Sequence, residues 1–361
     1  MKIAMIGHKY VPSREGGVEI VVEELSSRMA QDNEVTLFNR KRKEYKKIKE
    51  HKGCRVKSVF TINKKSLDAI VYSFFATLKA VFGKYDVLHF HAEGPCYFLW
   101  MTRFTKKKVI VTIHGLDWQR SKWGGFATKI LKKGEKRAVK YADEIIVLSE
   151  NVKKYFKEVY NRETIYIPNG IKKAQIKEPN IIKEKYGLEK DSYILFLARM
   201  VPEKGCHYLV DAYNRLNDEE RKGKKLVIAG GSSHTDEYYG QIIEKTKGNQ
   251  NIVLTGFVQG DELHELFTNT CLYVLPSDIE GMPISLIEAM SYGNKCLTSN
   301  IPENTEIANE NCLSFEKSNI DDLKAKLVEC LSMKKNENIQ FKVPGWDEVA
   351  EKTLELYRKE N

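Results

Sequence analysis

Short apolar segments alternate with longer amphipathic segments along the first half of the chain. The short segments predict strands, and they are 2–6, 34–39, 87–90, 109–114 and 144–148. The amphipathic segments 17–31 and 127–141 place apolar residues at helical spacing and predict helices. Strands that alternate with helices are typical of a parallel sheet covered by helices. This half of the chain therefore predicts an α/β domain.

The same pattern starts again after Pro168-Asn169-Gly170. The strands predicted there are 193–198, 225–229, 252–255, 272–276 and 295–298, with a helix at 208–216. Residues 173–190 are polar and lack a clear period, so we predict a linker there. The sequence thus predicts two doubly wound, Rossmann-like domains, 1–172 and 191–344, that face a cleft. Ligands bind such sheets beyond the carboxyl ends of the strands, so the loops after strands are the candidate binding segments.

No segment of the sequence predicts a signal peptide or a membrane span. The apolar run at the start of the chain soon reaches His8 and Lys9, which favours a first buried strand. The longest apolar segment, 67–82, contains Asp68 and Lys79 and is shorter than the ~20 residues that a transmembrane helix needs. We therefore expect a protein that does not cross a bilayer.

Composition excludes further classes of protein. Hydrophobic residues make up 42% of the chain and charged residues 30%, which indicates a folded chain and not a disordered one. The 7 cysteines are odd in number, scattered, and never form a CxxC pair. This pattern argues against a disulfide framework and against zinc, and it favours a reducing, cytoplasmic compartment.

Charge is divided unevenly along the chain. Residues 1–172 contain 35 Lys and Arg against 18 Asp and Glu, whereas residues 173–361 contain 24 against 31. A basic half predicts an anionic partner, either nucleic acid or the anionic inner face of the plasma membrane. It contains no zinc-finger, RNP or helix-turn-helix motif, so we expect peripheral membrane binding and no nucleic acid. Residues 40–57, rich in Lys and Arg, are either a solvated loop or a membrane-facing patch.

A helix N-terminus with candidate phosphate donors follows the predicted strand 272–276. Pro283 suits the first helical position, where its missing N–H costs nothing. The amides around Gly281, Met282 and Ile284 then point out of the helix start, which makes an anion site.

Two glutamates flank this helix start. Glu280 lies in the loop before the helix and is placed to reach the hydroxyls of a sugar beside a phosphate. Glu288 lies about one turn inside the helix and is placed to grip vicinal hydroxyls such as those of a ribose. Because carboxylates stabilise any helix N-terminus, an ordinary acid-rich helix start explains the same residues. Both interpretations stay open.

Two cations follow the first strand of the second domain. Arg199 at the strand end offers a planar fork for phosphate oxygens, and Lys204 before the next helix offers a mobile point charge. Near a diphosphate they would neutralise the charge of the leaving group, the role that magnesium has elsewhere. The alternative is a pair of surface cations. Asp321-Asp322 reads as a helix start, and we expect no metal site.

The first domain offers weaker signals. Adjacent Gly16 and Gly17 after the first strand let a backbone approach a ligand closely, but the chain has no GxGxxG and no Walker A motif. His114 at a strand end is a candidate ligand contact, and a structural histidine is the alternative. His89 and His91 alternate near the end of another strand, and we expect one of the two to face the cleft.

Together and in this order, these motifs resemble the retaining GT-B-fold glycosyltransferases of family 4. The segments that carry the resemblance are Gly16-Gly17-Val18-Glu19, Ile167-Pro168-Asn169-Gly170, Arg199 with Lys204-Gly205, Gly256-Phe257-Val258, and Glu280 with Glu288. Residues 114–137 resemble a subgroup associated with bacterial cell-surface polysaccharide assembly. Many family members have glycine where Pro283 stands, so one amide donor is missing here.

The resemblance implies a role for each site residue. Glu280 would bind hydroxyls of the donor sugar and Glu288 those of the ribose. Arg199 and Lys204 would stabilise the leaving diphosphate, and His114 would contact the sugar. The other implied donor-binding residues are Gly16, Gly17, Val258, Gly281, Met282, Pro283 and Ile284.

The resemblance also implies the reaction. A sugar would pass, with retention, from a UDP- or GDP-sugar to a glycan or lipid-linked acceptor in surface polysaccharide biosynthesis. The acceptor would attack on the face that the nucleotide leaves, so no carboxylate need act as a covalent nucleophile. No metal or cofactor would take part. The last helix, within 345–361, would pack back on the first domain.

Two other functions compete with this one. A nucleotide-sugar epimerase or a phosphorylase can share the two-domain shape. The Pro168-Asn169-Gly170 segment, the spacing of Arg199 and Lys204-Gly205, and the basic half argue against both. A non-catalytic, membrane-docked protein that binds nucleotide sugars is the second alternative, against which the intact Glu280, Arg199 and Lys204 argue.

Overall fold

The chain folds into two compact α/β units. The computed structural model describes residues 1–14, 16–64, 67–119, 124–231, 236–334 and 343–359. The first unit comprises Met1–Gly170 with Pro344–Asn361, and the second comprises Ile171–Val343. Each unit is built on one sheet, which confirms the predicted α/β class with parallel sheets.

A parallel sheet forms the centre of the first unit. Its strands are β1 (Lys2–Ile6), β2 (Glu34–Arg40), β3 (Glu50–His51), β4 (Cys54–Val59), β5 (Val87–His91), β6 (Lys108–Ile113), β7 (Glu144–Val147) and β8 (Ile165–Tyr166). Their order is β3-β4-β2-β1-β5-β6-β7-β8, and all neighbours are parallel apart from β3 and β4. Every residue of β5 and β6 is buried, because helices cover both faces of a sheet of this kind.

Helices cover this sheet by burying apolar faces. They are α1 (Gly17–Met29), α2 (Asp68–Phe82), α3 (Glu93–Cys96), α4 (Gly125–Tyr141), α5 (Glu150–Tyr160) and the C-terminal helix (Trp346–Arg358), with 3-10 turns at Leu99–Phe104 and Asp117–Gln119. In α2, Tyr72, Ala76 and Ala80 recur at four-residue spacing and enter the core. α5 begins where the Ser149 hydroxyl accepts a hydrogen bond from the Val152 amide at 3.2 Å.

The C-terminal helix belongs to the first unit, as predicted. Asp347 at its start pairs with Arg28 of α1 at 2.5 Å. Near its end, the hydroxyl of Tyr357 lies 2.6 Å from Nδ1 of His89 on β5. The helix therefore joins the end of the chain to the core of its first half.

Residues 40–57 form a loop only over 41–49, so the solvated-loop alternative is right there and wrong for the rest of the segment. The segment contains β3 and the start of β4, which pairs in parallel with β2. Cys54 and Val56 are buried, whereas Arg55 and Lys57, which alternate with them, are exposed. Only alternate residues are apolar in a strand of this kind, and the Lys and Arg between them concealed the pattern.

A second parallel sheet forms the centre of the second unit. Its strands are β9 (Tyr193–Leu197), β10 (Lys225–Ala229), β11 (Ile252–Gly256), β12 (Leu272–Leu275), β13 (Cys296–Ser299) and β14 (Cys312–Phe315), in the order β11-β10-β9-β12-β13-β14. Its helices are α6 (Ile181–Tyr186), α7 (Cys206–Asn214), α8 (Asp218–Arg221), α9 (Asp236–Thr246), α10 (Asp261–Asn269), α11 (Ile284–Ser291), α12 (Pro302–Thr305) and α13 (Ile320–Ser332). Asn319 accepts hydrogen bonds from the amides of Asp321 and Asp322, so this aspartate pair is a helix start, as predicted.

The segment 173–190, predicted as a linker, lies within the second unit. It contains α6, and Ile182 and Leu188 are fully buried in the core beside Tyr193. The Ile182 amide also donates to Glu265 of α10 at 3.0 Å. The division of the chain falls instead at 170/171 and again at 343/344. A few apolar residues in a polar segment were enough to anchor it.

None of the helices in the described part of the chain is both long enough and apolar enough to span a membrane.

Candidate active site

Two loops of the second unit meet at the carboxyl edge of its sheet. β9 and β12 are neighbours, so the loops that follow them run side by side. The Asp278 amide donates to the Glu203 carbonyl at 2.9 Å across the two loops. Gly205 lies against the carbonyl of Pro276 with φ +69°, where an added Cβ would clash. This close approach brings the residues around 199–204 next to those around 277–283.

Lys204 and Glu280 form an ion pair at this edge. The Lys204 Nζ lies 2.5 Å from Oε1 and 2.6 Å from Oε2 of Glu280. Their side chains are 17% and 6% exposed. A cation that bonds both carboxylate oxygens fixes the carboxylate in one orientation. Sequence reasoning placed both residues at a ligand but did not predict that they pair.

Arg199 follows β9 and is partly exposed. Within the described part of the chain, no group accepts a hydrogen bond from its guanidinium and no carboxylate pairs with it. The fork of donors therefore stays open to an anion. An arginine whose planar donors are held at a strand end suits phosphate oxygens.

The helix start after β12 differs from the prediction by one position. α11 begins at Ile284, and Pro283 is its N-cap with φ −74° and ψ 98°. Pro283 therefore lies before the first helical residue. The Pro283 carbonyl accepts from the amides of Leu286 and Ile287, which leaves the Ile284 and Ser285 amides at the open end of the helix.

The remaining candidate residues of the second unit surround this helix start. Gly281 and Met282 are buried, and Glu288 lies one turn into α11 and is partly exposed. Val258 follows β11 and packs its side chain into the core, so that a ligand contact there would use its backbone. The neighbouring Phe257 is exposed.

In the first unit, the two glycines form the start of α1. Gly16 is the N-cap and Gly17 the first helical residue, and Gly17 is exposed. Glu19 is buried behind them and accepts a hydrogen bond from the Lys9 amide at 2.9 Å. Burial raises the pKa of Glu19, but this hydrogen bond and the charge of Lys9 outweigh it, and the net pKa is lowered. Glu15 lies outside the described residues.

The expectation that one of His89 and His91 faces the cleft is wrong, because neither ring is exposed. Residues two apart in a strand lie on the same face, and both rings are fully buried and stacked, with centroids 4.1 Å apart. His89 contacts the Thr112 hydroxyl at 2.7 Å, and His91 Nδ1 lies 3.1 Å from Nε2 of His114. Burial lowers the pKa of His89 to about 3. His114 follows β6 and is partly exposed, so of these three histidines it is the one that reaches the surface.

A buried carboxyl pair was missed in the sequence. Glu135 of α4 accepts hydrogen bonds from Trp118 Nε1 at 2.9 Å, from the Tyr155 hydroxyl at 2.9 Å, and from the Tyr160 hydroxyl. Glu93 is also buried, and burial, with the charges of Asp117 and Glu135, raises its pKa well above the usual value. The signal was that Glu135 lies on the same helical face as the apolar Leu131 and Ala138, a face that the lysines of α4 obscured.

The described residues contain no candidate metal site. Among the described residues, no three His, Cys, Asp or Glu side chains lie close enough together to hold a metal ion.

Two family models match the chain in sequence. Residues 15–175 match the model described as Glycosyltransferase Family 4, and residues 179–342 match that described as Glycosyl transferases group 1. The two matches follow the two units of the structure.

Several curated proteins are similar over part or all of the chain. An uncharacterized glycosyltransferase of Methanocaldococcus jannaschii is 24% identical over 99% of this chain and 98% of its own length. O-antigen chain mannosyltransferase B of Escherichia coli is 26% identical over 49% of this chain and 48% of its own. A UDP-Gal:α-D-GlcNAc-diphosphoundecaprenol α-1,3-galactosyltransferase of Escherichia coli is 27% identical over 64% and 60%. The alignment thus spans less than two thirds of the last two relatives.

Solved structures share the fold. Sucrose-phosphate synthase from Thermosynechococcus elongatus superposes with a TM-score of 0.80 at 20% identity, covering 99% of this chain and 98% of the other. Anabaena HepE, solved with UDP and glucose, has a TM-score of 0.80 at 14% identity, covering 98% of each. On the fold shared with these proteins and on the two glycosyltransferase models that match its halves, the chain is a GT-B glycosyltransferase with a family 4 domain followed by a group 1 domain.

Proposed function

We propose that this glycosyltransferase moves a sugar, with retention, from a UDP- or GDP-sugar to a glycan or lipid-linked acceptor in the assembly of a surface polysaccharide. The observation that carries the proposal is the Lys204–Glu280 pair at the sheet edge where Arg199, which has no acceptor among the described residues, also lies. Two cations and one carboxylate at a strand end offer partners for a diphosphate and for sugar hydroxyls. The relatives that act on O-antigen or on a diphosphoundecaprenol-linked sugar, and HepE with UDP, support the choice of substrates.

On the donor side, each group has one task. Arg199 and Lys204 bind the diphosphate, so that Lys204 shares its ammonium between phosphate oxygens and Glu280. Glu280 accepts hydrogen bonds from hydroxyls of the sugar, and Glu288 accepts them from the ribose. The Val258 backbone contacts the base.

The developing charge on the leaving diphosphate is stabilised without a metal. The two cations act together with the amides of Gly17 and of Met282 and Ile284, because fixed donors aimed at a developing charge need no reorganisation. Transfer is therefore expected to persist in excess EDTA. Loss of activity in EDTA that magnesium or manganese restores would refute this part of the proposal.

On the acceptor side, the acceptor hydroxyl attacks on the face that the nucleotide leaves. His114 contacts the donor sugar, as the family resemblance implies, and no carboxylate becomes a covalent nucleophile. An NMR spectrum of the product tests retention, since the anomeric configuration of the donor sugar must reappear in the new bond. An inverted product would exclude the front-face route.

The first unit docks on the cytoplasmic face of an anionic membrane through α4. Its exposed lysines lie on one face of the helix, and they are Lys129, Lys132, Lys133, Lys136 and Lys140. Each cation near an anionic surface contributes about 1 kcal/mol. Arg137 does not belong to this face, because its guanidinium donates to the Tyr97 carbonyl and lies 4.3 Å over the Tyr97 ring. Replacing Lys129, Lys133 and Lys136 by glutamate is expected to weaken binding to anionic vesicles strongly at low salt.

A panel of nucleotide sugars tests the proposal as a whole. The true donor should raise the unfolding temperature, because a ligand at about 100 times its Kd stabilises by about 2.7 kcal/mol. With that donor, the protein should then transfer the sugar to an acceptor in membrane extract. An isomerised donor without transfer would indicate an epimerase, and binding without any turnover would indicate a non-catalytic protein.

A further inference from the structure

Large apolar side chains are exposed together on the first unit where β4 leads into α2. Phe60, Ile62 and Leu67 lie in this connection, and Phe74 lies on α2 itself. Phe60 is 53% exposed. A cluster of exposed large apolar groups marks an interaction surface more often than a scattered set does.

These groups continue into a row of rings, which we name the aromatic row. Its members, in order of contact, are Phe60, Phe75, Phe74, Phe98 and Tyr97. Successive ring centroids lie 5.6, 5.2, 5.4 and 5.1 Å apart, all in edge-to-face geometry. The row therefore runs unbroken from the end of β4, across α2, to the segment that follows α3.

Cations of α4 stand at the far end of the row. Lys133 lies 5.8 Å over the Tyr97 ring and Arg137 lies 4.3 Å over it. Phe126, at the start of α4, is exposed on the same face as the α4 lysines. Ring and cation contacts thus link the exposed apolar groups at Phe60 to the cations of α4.

The acidic residue of segment 60–82 is buried and paired, so it adds no negative charge to this surface. Asp68 is the one acidic residue between positions 60 and 82. It is buried, and it pairs with Arg40 at 2.5 Å and with Arg42 at 2.6 Å. The Thr61 hydroxyl also donates to it at 2.8 Å, which anchors the apolar connection to the start of α2. Among the described residues of the connection, the exposed ones are the apolar Phe60, Ile62 and Leu67, the neutral Asn63 and the positive Lys64.

We propose that the exposed members of the aromatic row, Phe60 and Phe74, insert together with Ile62 and Leu67 into the headgroup and acyl boundary of an anionic bilayer, and that the α4 lysines bind its lipid phosphates. Phenylalanine and leucine beside lysine are the composition that interfacial membrane surfaces use. In the described part of segment 60–82 no acidic side chain is exposed, which matches a uniformly anionic surface. This inference rests on the proposed lipid-linked acceptor.

The position of the row suits that acceptor. β4, β2 and β1 are parallel, so the connection after β4 leaves the same edge of the sheet as the loop that contains Gly16 and Gly17. The loop that contains His114 leaves this edge too, because β6 is parallel to β5 and β5 to β1. Insertion of the row would therefore hold that edge at the membrane surface, where the head of a lipid-linked glycan is found.

Vesicle sedimentation at two salt concentrations separates insertion from electrostatic docking. We choose vesicles of equal parts phosphatidylglycerol and phosphatidylcholine, at low salt and at about 1 M salt, where the Debye length is about 3 Å. Wild-type protein should remain partly bound at high salt. Phe60→Ser with Phe74→Ser should weaken partition roughly a hundredfold, about tenfold for each apolar group removed from the interface.

The chain provides a matched control. Phe82 and Phe104 are 81% and 68% exposed, more than Phe60, but they lie at the end of α2 and of a 3-10 turn, towards the opposite edge of the sheet. Phe82→Ser with Phe104→Ser should partition like wild type. If the Phe60 and Phe74 pair fails to fold, Ile62→Ser with Leu67→Ser should show the same loss of high-salt binding.

Three results would overturn the inference. One is wild-type partition by the Phe60 and Phe74 variant, and another is an equal loss by the control pair. The third is a wild-type oligomer that the Phe60 and Phe74 variant dissociates without vesicles, since the row would then be a protein interface. The stabilisation that the donor provides, measured without vesicles, should be the same in every variant as in wild type. If the donor does not stabilise the wild-type protein, that result would refute the proposed function and not the docking surface.

Discussion

Lys204 and Glu280 form an ion pair with each other, and in the proposed reaction both also bind the donor. Each needs the other for stability, because removing one partner of a nearly buried pair leaves an uncompensated charge, at a cost of about 3–5 kcal/mol. Lys204→Ala is therefore expected to lower the free energy of unfolding by about 3 kcal/mol. Urea unfolding measures this change directly.

The double variant separates the two roles of the pair. Lys204→Ala with Glu280→Gln removes the cation and the charge that needs it, so most of the lost stability should return. Transfer should remain abolished, because the diphosphate and sugar contacts are both gone. A single Lys204→Ala variant as stable as wild type would show that the pair contributes nothing to folding.

The sequence predicted which residues lie at the second sheet's edge but not how they pair. Arg199, Lys204 and Glu280 follow strands that the apolar pattern places correctly, so their edge position followed from the fold. Their pairing depends on two loops separated by many residues, and no local pattern encodes it. Similarly, the burial of both His89 and His91 followed from the core of a parallel strand and not from their own polarity.

At the scale of elements, Gly205 holds the loops after β9 and β12 together. Its φ of +69° and its contact with the Pro276 carbonyl leave no room for a Cβ. Gly205→Ala is expected to lower the free energy of unfolding by about 3 kcal/mol, from the left-handed backbone and the clash together, and to abolish transfer.

Gly223→Ala is the matched control for that change. Gly223 has a nearly identical φ of +70° in the same unit, but no atom lies where its Cβ would be. Gly223→Ala should lower the free energy of unfolding by only about 1 kcal/mol, the cost of a left-handed backbone at a residue with a Cβ, and leave transfer intact. Equal effects of the two substitutions would mean that the loop contact is not what Gly205 provides.

Elements buried on both faces were predicted well, and half-buried ones poorly. β9 and β12 are continuous apolar runs, so their positions could be predicted closely. β4 exposes alternate Lys and Arg residues, and α6 buries only one face of a short polar segment. In both cases the information lies in a few residues, such as Val56 and Ile182, whose burial depends on a tertiary neighbour.

At the scale of the whole molecule, stability should depend on pH through the buried histidines. Burial lowers the pKa of His8 to about 4 and that of His89 to about 3. Between about pH 6.5 and 4 the unfolded chain binds protons that the folded chain does not, so stability falls as the pH falls. Each histidine contributes a slope of up to about 1.4 kcal/mol per pH unit.

Glu93 acts in the opposite direction and provides a test of this account. Its pKa is raised by burial and by nearby carboxylates, so its contribution to stability is present at low pH and is lost as the pH rises above the unfolded value. Glu93→Gln should therefore steepen the fall in stability towards acid pH. Urea unfolding from pH 4.5 to 7.5 measures both slopes, and flat profiles for both proteins would contradict the assignment.

The central claim is that the carboxyl edge of the second sheet binds the donor diphosphate, and Arg199 tests it most directly. Arg215→Ala is the control, since Arg215 is an exposed arginine of the same unit that pairs with Asp321. Sugar transfer should be measured for both variants and wild type with the donor found in the panel. Arg199→Ala is predicted to lower kcat/KM by roughly 100- to 1000-fold at unchanged unfolding temperature, with Arg215→Ala at the wild-type rate. Wild-type transfer by Arg199→Ala would contradict the account.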